Sequence, residues 1–300
     1  MRSITIIIAL VLTAGVLGGQ PLIYAVSADF PFYRSQMIRF YPTGVFHSND
    51  HIQGLNPNTG NISLIENVKG ICRVTNTGTS ADGKYYVTTG LFNADPYFDA
   101  QLFEIDPNAA SANLIVPPVA PAPGTIRDIC FIGTFPGIQP GIYGIRGGVE
   151  LVRFNFSAGS FSAPVSIGFF TSQLPLGYTA WGLSWTLCSG QPQLLLTARS
   201  QANLVKYYDC NPNTAVLTFI GDILPAPPVL FSFANCGIGW FAGSNELWVN
   251  GIDNTSNPQT VYQYGQCQAA GWCPGNASQV PTVPMSFSGR NIEDFCTVLY

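Results

Sequence analysis

Thr125–Arg146, TIRDICFIGTFPGIQPGIYGIR, is the stretch whose pattern organises the chain. An apolar run carrying Cys130 leads into a Gly/Pro turn, and a short strand centred on Tyr143 follows. Related runs centre on Cys72, Trp185, Cys236 and Cys296, so the five centres lie 58, 55, 51 and 60 residues apart in turn. The second strands centre on Tyr86, Tyr143, Leu195 and Trp248. The final copy is cut in two: Asn291–Tyr300 (NIEDFCTVLY) supplies its first half, and Pro21–Ala28 (PLIYAVSA), around Tyr24, supplies the second.

Working outward, each pair of strands is followed by an alternating segment that ends on an Asx, Pro or Gly turn. These segments are Gln36–Tyr41, Ile52–Leu55, Gln101–Ile105, Glu150–Phe154, Asn203–Tyr208 and Thr260–Tyr264. Alternation closed by such a turn is a hairpin signal. The runs Ile62–Ile65, Ala112–Val116, Ala163–Ile167 and Ala215–Ile220 then supply the returning outer strands. Each unit thus has four short strands, slightly longer than the roughly 40–50 residues usual for a propeller blade. One such unit cannot cover both of its faces, whereas units arranged radially cover one another.

The pattern predicts an all-β, five-bladed β-propeller whose ring is closed when the N-terminal strand completes the last blade. Six blades are the alternative. Gln36–Gly60 is nearly doubled, either by an insertion of about 16 residues in the first blade or as the remnant of a sixth.

Composition bounds the function. Only 9% of residues are charged, against about 25% ordinarily. Yet the one long apolar stretch, Ile4–Gly19 after Met1-Arg2-Ser3, reads as a secretory signal peptide. Residues 1–19 are therefore expected to be the signal and 20–300 a single propeller domain, secreted and extracellular, with no membrane contact beyond the signal. A net charge of −4 with scattered Lys and Arg argues against a nucleic-acid partner. Asn61, Asn155, Asn254 and Asn276 each open an Asn-X-Ser acceptor tripeptide for N-linked glycan.

The strand–Asp-Pro-Asn–strand repeats, with an apolar strand between them, resemble the secreted propellers of the NHL/YVTN/SMP-30-like superfamily. The resemblance covers essentially the whole mature chain but lies in period and turns. It implies a fold and carries over no active site.

Eight cysteines in a secreted chain suggest disulfides. Cys188–Cys210 would join one end of a blade, and Cys267–Cys273 would clip a short loop. Cys72, Cys130, Cys236 and Cys296 fall on inner strands, where pairs such as 72–130 or 236–296 could tie the centre. Buried free thiols are the alternative.

Catalytic residue types are sparse. Arg127-Asp128 and Glu293-Asp294 occupy equivalent places before Cys130 and Cys296, with Asn235 and Arg73 nearby. Together they make a candidate acidic ring at a channel mouth that could hold Ca²⁺; as the alternative, these groups cap strand ends. His47 and His51, the only histidines, lie in a segment read as a loop, where their spacing has no metal-binding meaning. No GxSxG, P-loop or dinucleotide fingerprint occurs. Trp272 is the candidate exposed aromatic platform for binding.

The combined expectation is a non-enzymatic, glycosylated, extracellular structural or interaction module. Its partners would be identical subunits, another protein or a glycan. The alternatives are a metal-assisted hydrolase built on Asp128, Glu293 and Asp294, or a lectin.

Overall fold

The computed structural model describes residues 22–29, 34–41, 46–116, 124–188, 191–202, 204–223, 238–241, 246–250, 260–268, 278–280, 285–288 and 291–297. The expected signal peptide lies outside them. Apart from one 3-10 turn at Pro96–Phe98, the regular structure is entirely β among these residues. None of their helices is long and apolar enough to cross a membrane.

From the N-terminus come β1 (Ile23–Asp29), β2 (Arg34–Phe40) and β3 (Phe46–His51), then a short hairpin of β4 (Gln53–Asn56) and β5 (Asn61–Leu64). Next are β6 (Val68–Arg73), β7 (Tyr85–Thr89), β8 (Leu102–Asp106) and β9 (Ser111–Val116). They are followed by β10 (Ile126–Ile132), β11 (Gly141–Arg146), β12 (Glu150–Ser157) and β13 (Ser160–Phe169). Then come β14 (Tyr178–Cys188), β15 (Gln191–Ser200), β16 (Val205–Cys210) and β17 (Leu217–Ile223). The last strands are β18 (Ile238–Phe241), β19 (Glu246–Asn250), β20 (Thr260–Gln268), β21 (Ser278–Val280), β22 (Met285–Ser288) and β23 (Asn291–Thr297).

Four sheets follow the four-strand path of a regular blade: β23-β1-β2-β3, β10-β11-β12-β13, β14-β15-β16-β17 and β18-β19-β20-β21. In the last of these, β22 pairs the first half of β20 and β21 pairs its end. The remaining sheet is six-stranded, ordered β5-β4-β9-β8-β7-β6. The innermost strands meet in the order β23, β6, β10, β14, β18 and back to β23. The arrangement is that of a β-propeller.

Two expectations change here. The expected count of five blades, or six, is replaced by four regular blades and one enlarged sheet. The irregular segment divides: its first part becomes β2 and β3 of the closing blade, and its second begins the β4–β5 hairpin. This hairpin joins the outer edge of β9 through a short parallel contact of Gln53 and Gly54 with Ser111 and Ala112. Closure itself is antiparallel pairing of β1 with β23, Tyr24 opposite Cys296. His47 and His51, read as loop residues, lie in β3. Four places apart on a strand puts them about 13 Å apart, too far to share a metal ion.

Turn chemistry repeats across the sheets. In Asn56-Pro-Asn58, Asp106-Pro-Asn108 and Asn211-Pro-Asn213, the first side chain accepts the backbone N–H two residues on, at 2.8–2.9 Å. Four residues after each Asx, Gly60, Ala110 and Ala215 turn left-handed, with φ of 71°, 51° and 57°. Asx–Pro–Asn presets this reversal because Pro holds its own φ while the Asx side chain replaces a backbone acceptor.

The core lies between blades. Tyr24, Val26 and Met37 pack on Val68, Ile71 and Tyr85. Cys72 and Tyr86 pack on Ile129, Ile142 and Phe161. Cys130 and Tyr143 pack on Leu183, Leu194 and Cys210. These contacts explain the thiols. Cys72, Cys130, Cys210 and Cys296 are all free, so the bridges 72–130, 236–296 and 188–210 do not form. Cys72 and Cys130 face two different inter-blade layers and Cys296 packs against a third, so neighbouring thiols look the same way round the ring instead of toward each other. Cys236 and Cys273 lie outside the described residues, and the 267–273 clip with them.

Candidate functional site at one mouth of the axis

Near the start of β6, β10, β14 and β23 the ladder to the next strand shifts register. The shifts fall between Val68 and Gly70, Ile126 and Ile129, Ala180 and Gly182, and opposite Val26 and Ser27. Each shift leaves an extra residue on the inner strand: Lys69, Arg127, Trp181 and Glu293, with Arg127 followed by Asp128. A bulged residue leaves the ladder and its side chain is re-aimed. On an innermost strand the open direction is the axis, so the bulges carry charge and an indole toward one mouth.

These residues meet across blade boundaries. Lys69 Nζ lies 3.1 Å from Glu293 Oε1. The Arg127 guanidinium stacks over the Trp181 ring at 4.2 Å, and Arg199, at the end of β15, approaches the same ring at 5.0 Å. Trp181 Nε1 donates to Thr179 Oγ1 at 2.9 Å, which sets the plane of the indole. Burial lowers the Arg127 pKa from its ordinary value, the Arg199 charge pushes the same way, and Glu293 counters both. Glu293 sits on a blade not adjacent to that of Arg127, so its influence marks the position where the inner strands converge.

Asp128 and Asp294 point elsewhere. Both are 1% exposed. Asp128 Oδ2 accepts the Leu183 N–H at 2.8 Å, and Asp294 Oδ2 accepts the Ile71 N–H at 2.7 Å. Each carboxylate therefore clasps the inner strand of the next blade, and each recipient follows a glycine, Gly182 or Gly70. At Gly70 a Cβ would come within 3.0 Å of the Ile129 backbone nitrogen. Round the described part of the ring, carboxylate and glycine alternate: Asp294, Gly70, Asp128, Gly182.

The expected acidic ring is thus divided by the bulges. Glu293 reaches the mouth, while Asp128 and Asp294 belong to the inter-blade clasps. Arg73 ends β6, four residues from Lys69, and its guanidinium lies 5.7 Å from the Tyr85 ring. Asn235 and Trp272 lie outside the described residues. Among the described residues no three His, Cys, Asp or Glu side chains converge as metal ligands. Of the acceptor asparagines, Asn61 is exposed on β5, and Asn155 is half-buried, its Oδ1 accepting Arg153 Nε at 2.7 Å. Asn254 and Asn276 lie outside the described residues. Sequence reasoning missed Lys69, Trp181 and Arg199. Of the three, Trp181 alone carries a signal in the sequence, an indole beside a glycine at a strand start.

Fold and mouth together define a β-propeller with a cationic, indole-bearing cluster at one end of its axis. No protein-family model matches the chain, and no curated protein matches it. Among solved structures it is similar to a triple-arginine mutant of AofleA from Arthrobotrys oligospora: 10% identity, TM-score 0.46, covering 94% of this chain and 74% of that one. It is also similar to an α-L-arabinofuranosidase, CtGH43, from Clostridium thermocellum, at 15% identity and TM-score 0.45, covering 87% and 94%. The periplasmic gluconolactonase PpgL of Pseudomonas aeruginosa is 11% identical with TM-score 0.35, covering 90% and 99%.

Proposed function

We propose that the chain is a secreted, N-glycosylated, non-enzymatic propeller that binds a partner at the axial mouth. One observation carries this reading. The carboxylates that could have formed an acid pair are spent on backbone clasps, while Lys69, Arg127, Trp181, Arg199 and Glu293 gather at the mouth. A cation-and-indole cluster suits recognition more than hydrolysis. The test is a screen of glycan and peptide arrays with the intact chain and Trp181→Ala. Ligands captured by the intact chain and lost in the variant support the reading; capture that persists in the variant overturns the mouth as the binding surface.

Self-association is a second reading with its own observation. Leu55 and Ile62 face each other across the β4–β5 hairpin and are 51% and 70% exposed, and β5 ends its sheet. An apolar pair on a sheet edge favours contact with a second copy. Asn61 stands beside Ile62, so glycan there would cover that edge. Sedimentation of enzymatically deglycosylated protein tests this: concentration-dependent association that Ile62→Ser abolishes is expected, and a strict monomer removes the reading.

A further inference from the structure

We infer that the side of the ring bearing the mouth docks on a zwitterionic lipid surface, with Phe92, Leu176 and Leu204 as the side chains that enter it. The inference goes beyond the axial binding site and rests on loop tips, not on the axial cluster. The expectation of no membrane contact came from the lack of a further long apolar stretch in the sequence. A peripheral contact needs none.

Strand direction puts the three on one side. Thr89 ends β7 close to Val68 at the start of β6, and Ser200 ends β15 opposite Tyr178 at the start of β14. Residues 90–101 after β7, 170–177 before β14 and the turn after β15 therefore open on the side of the mouth. From them Phe92, Leu176 and Leu204 stand 88%, 103% and 56% exposed. Among the described residues, Val216 is the one large exposed apolar side chain in a turn on the opposite side. Single exposed apolar residues are ordinary, but Phe92 also has a φ of +71°, a conformation that a bulky side chain avoids. In water the ring gains nothing from holding it.

The loop imposes that conformation. Gly90 N donates to the Asn67 carbonyl, and Asn67 Nδ2 donates to the Leu91 carbonyl. Asn93 N donates to Asp99 Oδ1 at 2.7 Å and Ala94 N to Glu66 Oε2 at 3.0 Å. The other tips are braced too. Ser200 N donates to the Leu204 carbonyl at 2.9 Å, Leu204 N to Ser200 Oγ at 3.1 Å, and Tyr178 N to the Pro175 carbonyl at 3.0 Å. Backbone groups satisfied within a loop can leave water, which lipid demands and a merely solvated loop does not. The tips come from separate loops, so a bilayer receives them without the pocket that a protein partner would need for each. Charge then selects the lipid. Glu66 and Asp99 bond the two residues after Phe92, so the ring stands beside two carboxylates. A phosphatidylcholine surface presents quaternary ammonium groups, which suit carboxylates and an aromatic face. Lys69 is engaged by Glu293, and the Trp181 ring and the Gly148 turn close in Arg127, so neither serves an anionic headgroup.

The test is flotation of the full chain with vesicles of phosphatidylcholine alone and of phosphatidylcholine mixed with phosphatidylserine. Partitioning onto phosphatidylcholine that persists in high salt and weakens as phosphatidylserine is added is the expected result. Phe92→Asn removes the ring and suits the left-handed backbone, so it should weaken partitioning about tenfold while thermal stability holds or rises. Leu176→Ser combined with Leu204→Ser should also weaken it, and Val216→Ser, on the opposite side, should leave it unchanged. No partitioning at millimolar lipid overturns the lipid face. Partitioning indifferent to Phe92→Asn, which an apolar N-terminus would give, overturns it too, as does binding that requires phosphatidylserine and disappears in salt. Phe92-dependent capture of peptides on the arrays with silent vesicles would replace the lipid by a protein partner. Trp181-dependent capture with silent vesicles would leave the axial site standing and remove only the lipid face.

Discussion

At the residue scale the informative pair is Arg127-Asp128 with its counterpart Glu293-Asp294. In each, the first residue occupies a bulge and serves the mouth, while the second is buried and serves the neighbouring blade. Buried carboxylates are tolerated only when the charge is well bonded, and here each accepts a backbone N–H of the next inner strand at 2.7–2.8 Å. Removing the carboxylate leaves that N–H buried without a partner, which costs about 1–3 kcal/mol. Asp128→Ala and Asp294→Ala should therefore each lower the urea midpoint, and Asp294→Asn, which keeps an acceptor oxygen, should lower it less. Unchanged midpoints in both alanine variants would show that the clasps do not hold the blades. The sequence alone paired the two acidic positions correctly as equivalents. It could not separate their roles, because one extra residue in a strand shows only when the partner strand's register is known.

At the element scale the blade was legible. Period, Asx–Pro–Asn turns and the central tyrosines are local features, and they placed the inner strands to within a few residues. The β4–β5 hairpin was not assignable, since its attachment is a two-residue parallel contact with β9, distant in sequence. The thiols were half-legible: their positions on inner strands could be read, but not that each would point into its own inter-blade layer. Glycine supplies the element-scale prediction. Gly70 lies where β6 passes β10, and a methyl group there would meet Thr88 Oγ1 at 2.9 Å and the Ile129 backbone nitrogen at 3.0 Å. Backbone cannot yield as a flexible side chain does, so Gly70→Ala should destabilise the protein by about 1–3 kcal/mol. The same change at Gly60, where nothing lies within 4 Å but φ is +71°, should cost only its backbone term of roughly 1–2 kcal/mol. Parallel thermal melts check both losses, and a Gly70→Ala variant as stable as the parent would mean that β6 and β10 are not closely apposed.

At the scale of the whole molecule, closure and inter-blade packing place weakly acidic groups in every described core layer. Cys72, Cys130 and Cys296 have pKa values raised well above 9.0, foremost by burial; the clasp carboxylates push the same way, as do nearby thiols at Cys72 and Cys130, while Arg73 opposes the shift at Cys296. Burial raises Cys210 in the same way, and it also raises the phenols of Tyr86, Tyr143 and Tyr208. The sign follows from which state loses protons first. In the unfolded chain the thiols ionise near their ordinary values, while in the folded ring they stay neutral. Below about pH 8.5 both states are protonated and the stability is fully present. Above that the unfolded chain binds fewer protons, so stability falls as pH rises, by about 1.4 kcal/mol per pH unit for each thiol ionised only in the unfolded state. Urea midpoints should accordingly be level from pH 7 to 8.5 and fall steeply between pH 9 and 10.5, with the Cys72, Cys130, Cys210 and Cys296 thiols resisting a maleimide until unfolding. Replacing Cys72, Cys130, Cys210 and Cys296 together by alanine should lower stability at pH 7 yet flatten the decline above pH 9. An undiminished alkaline decline in that variant would shift its cause to the buried tyrosines, and no decline in the parent chain would mean that the inter-blade layers are open to water.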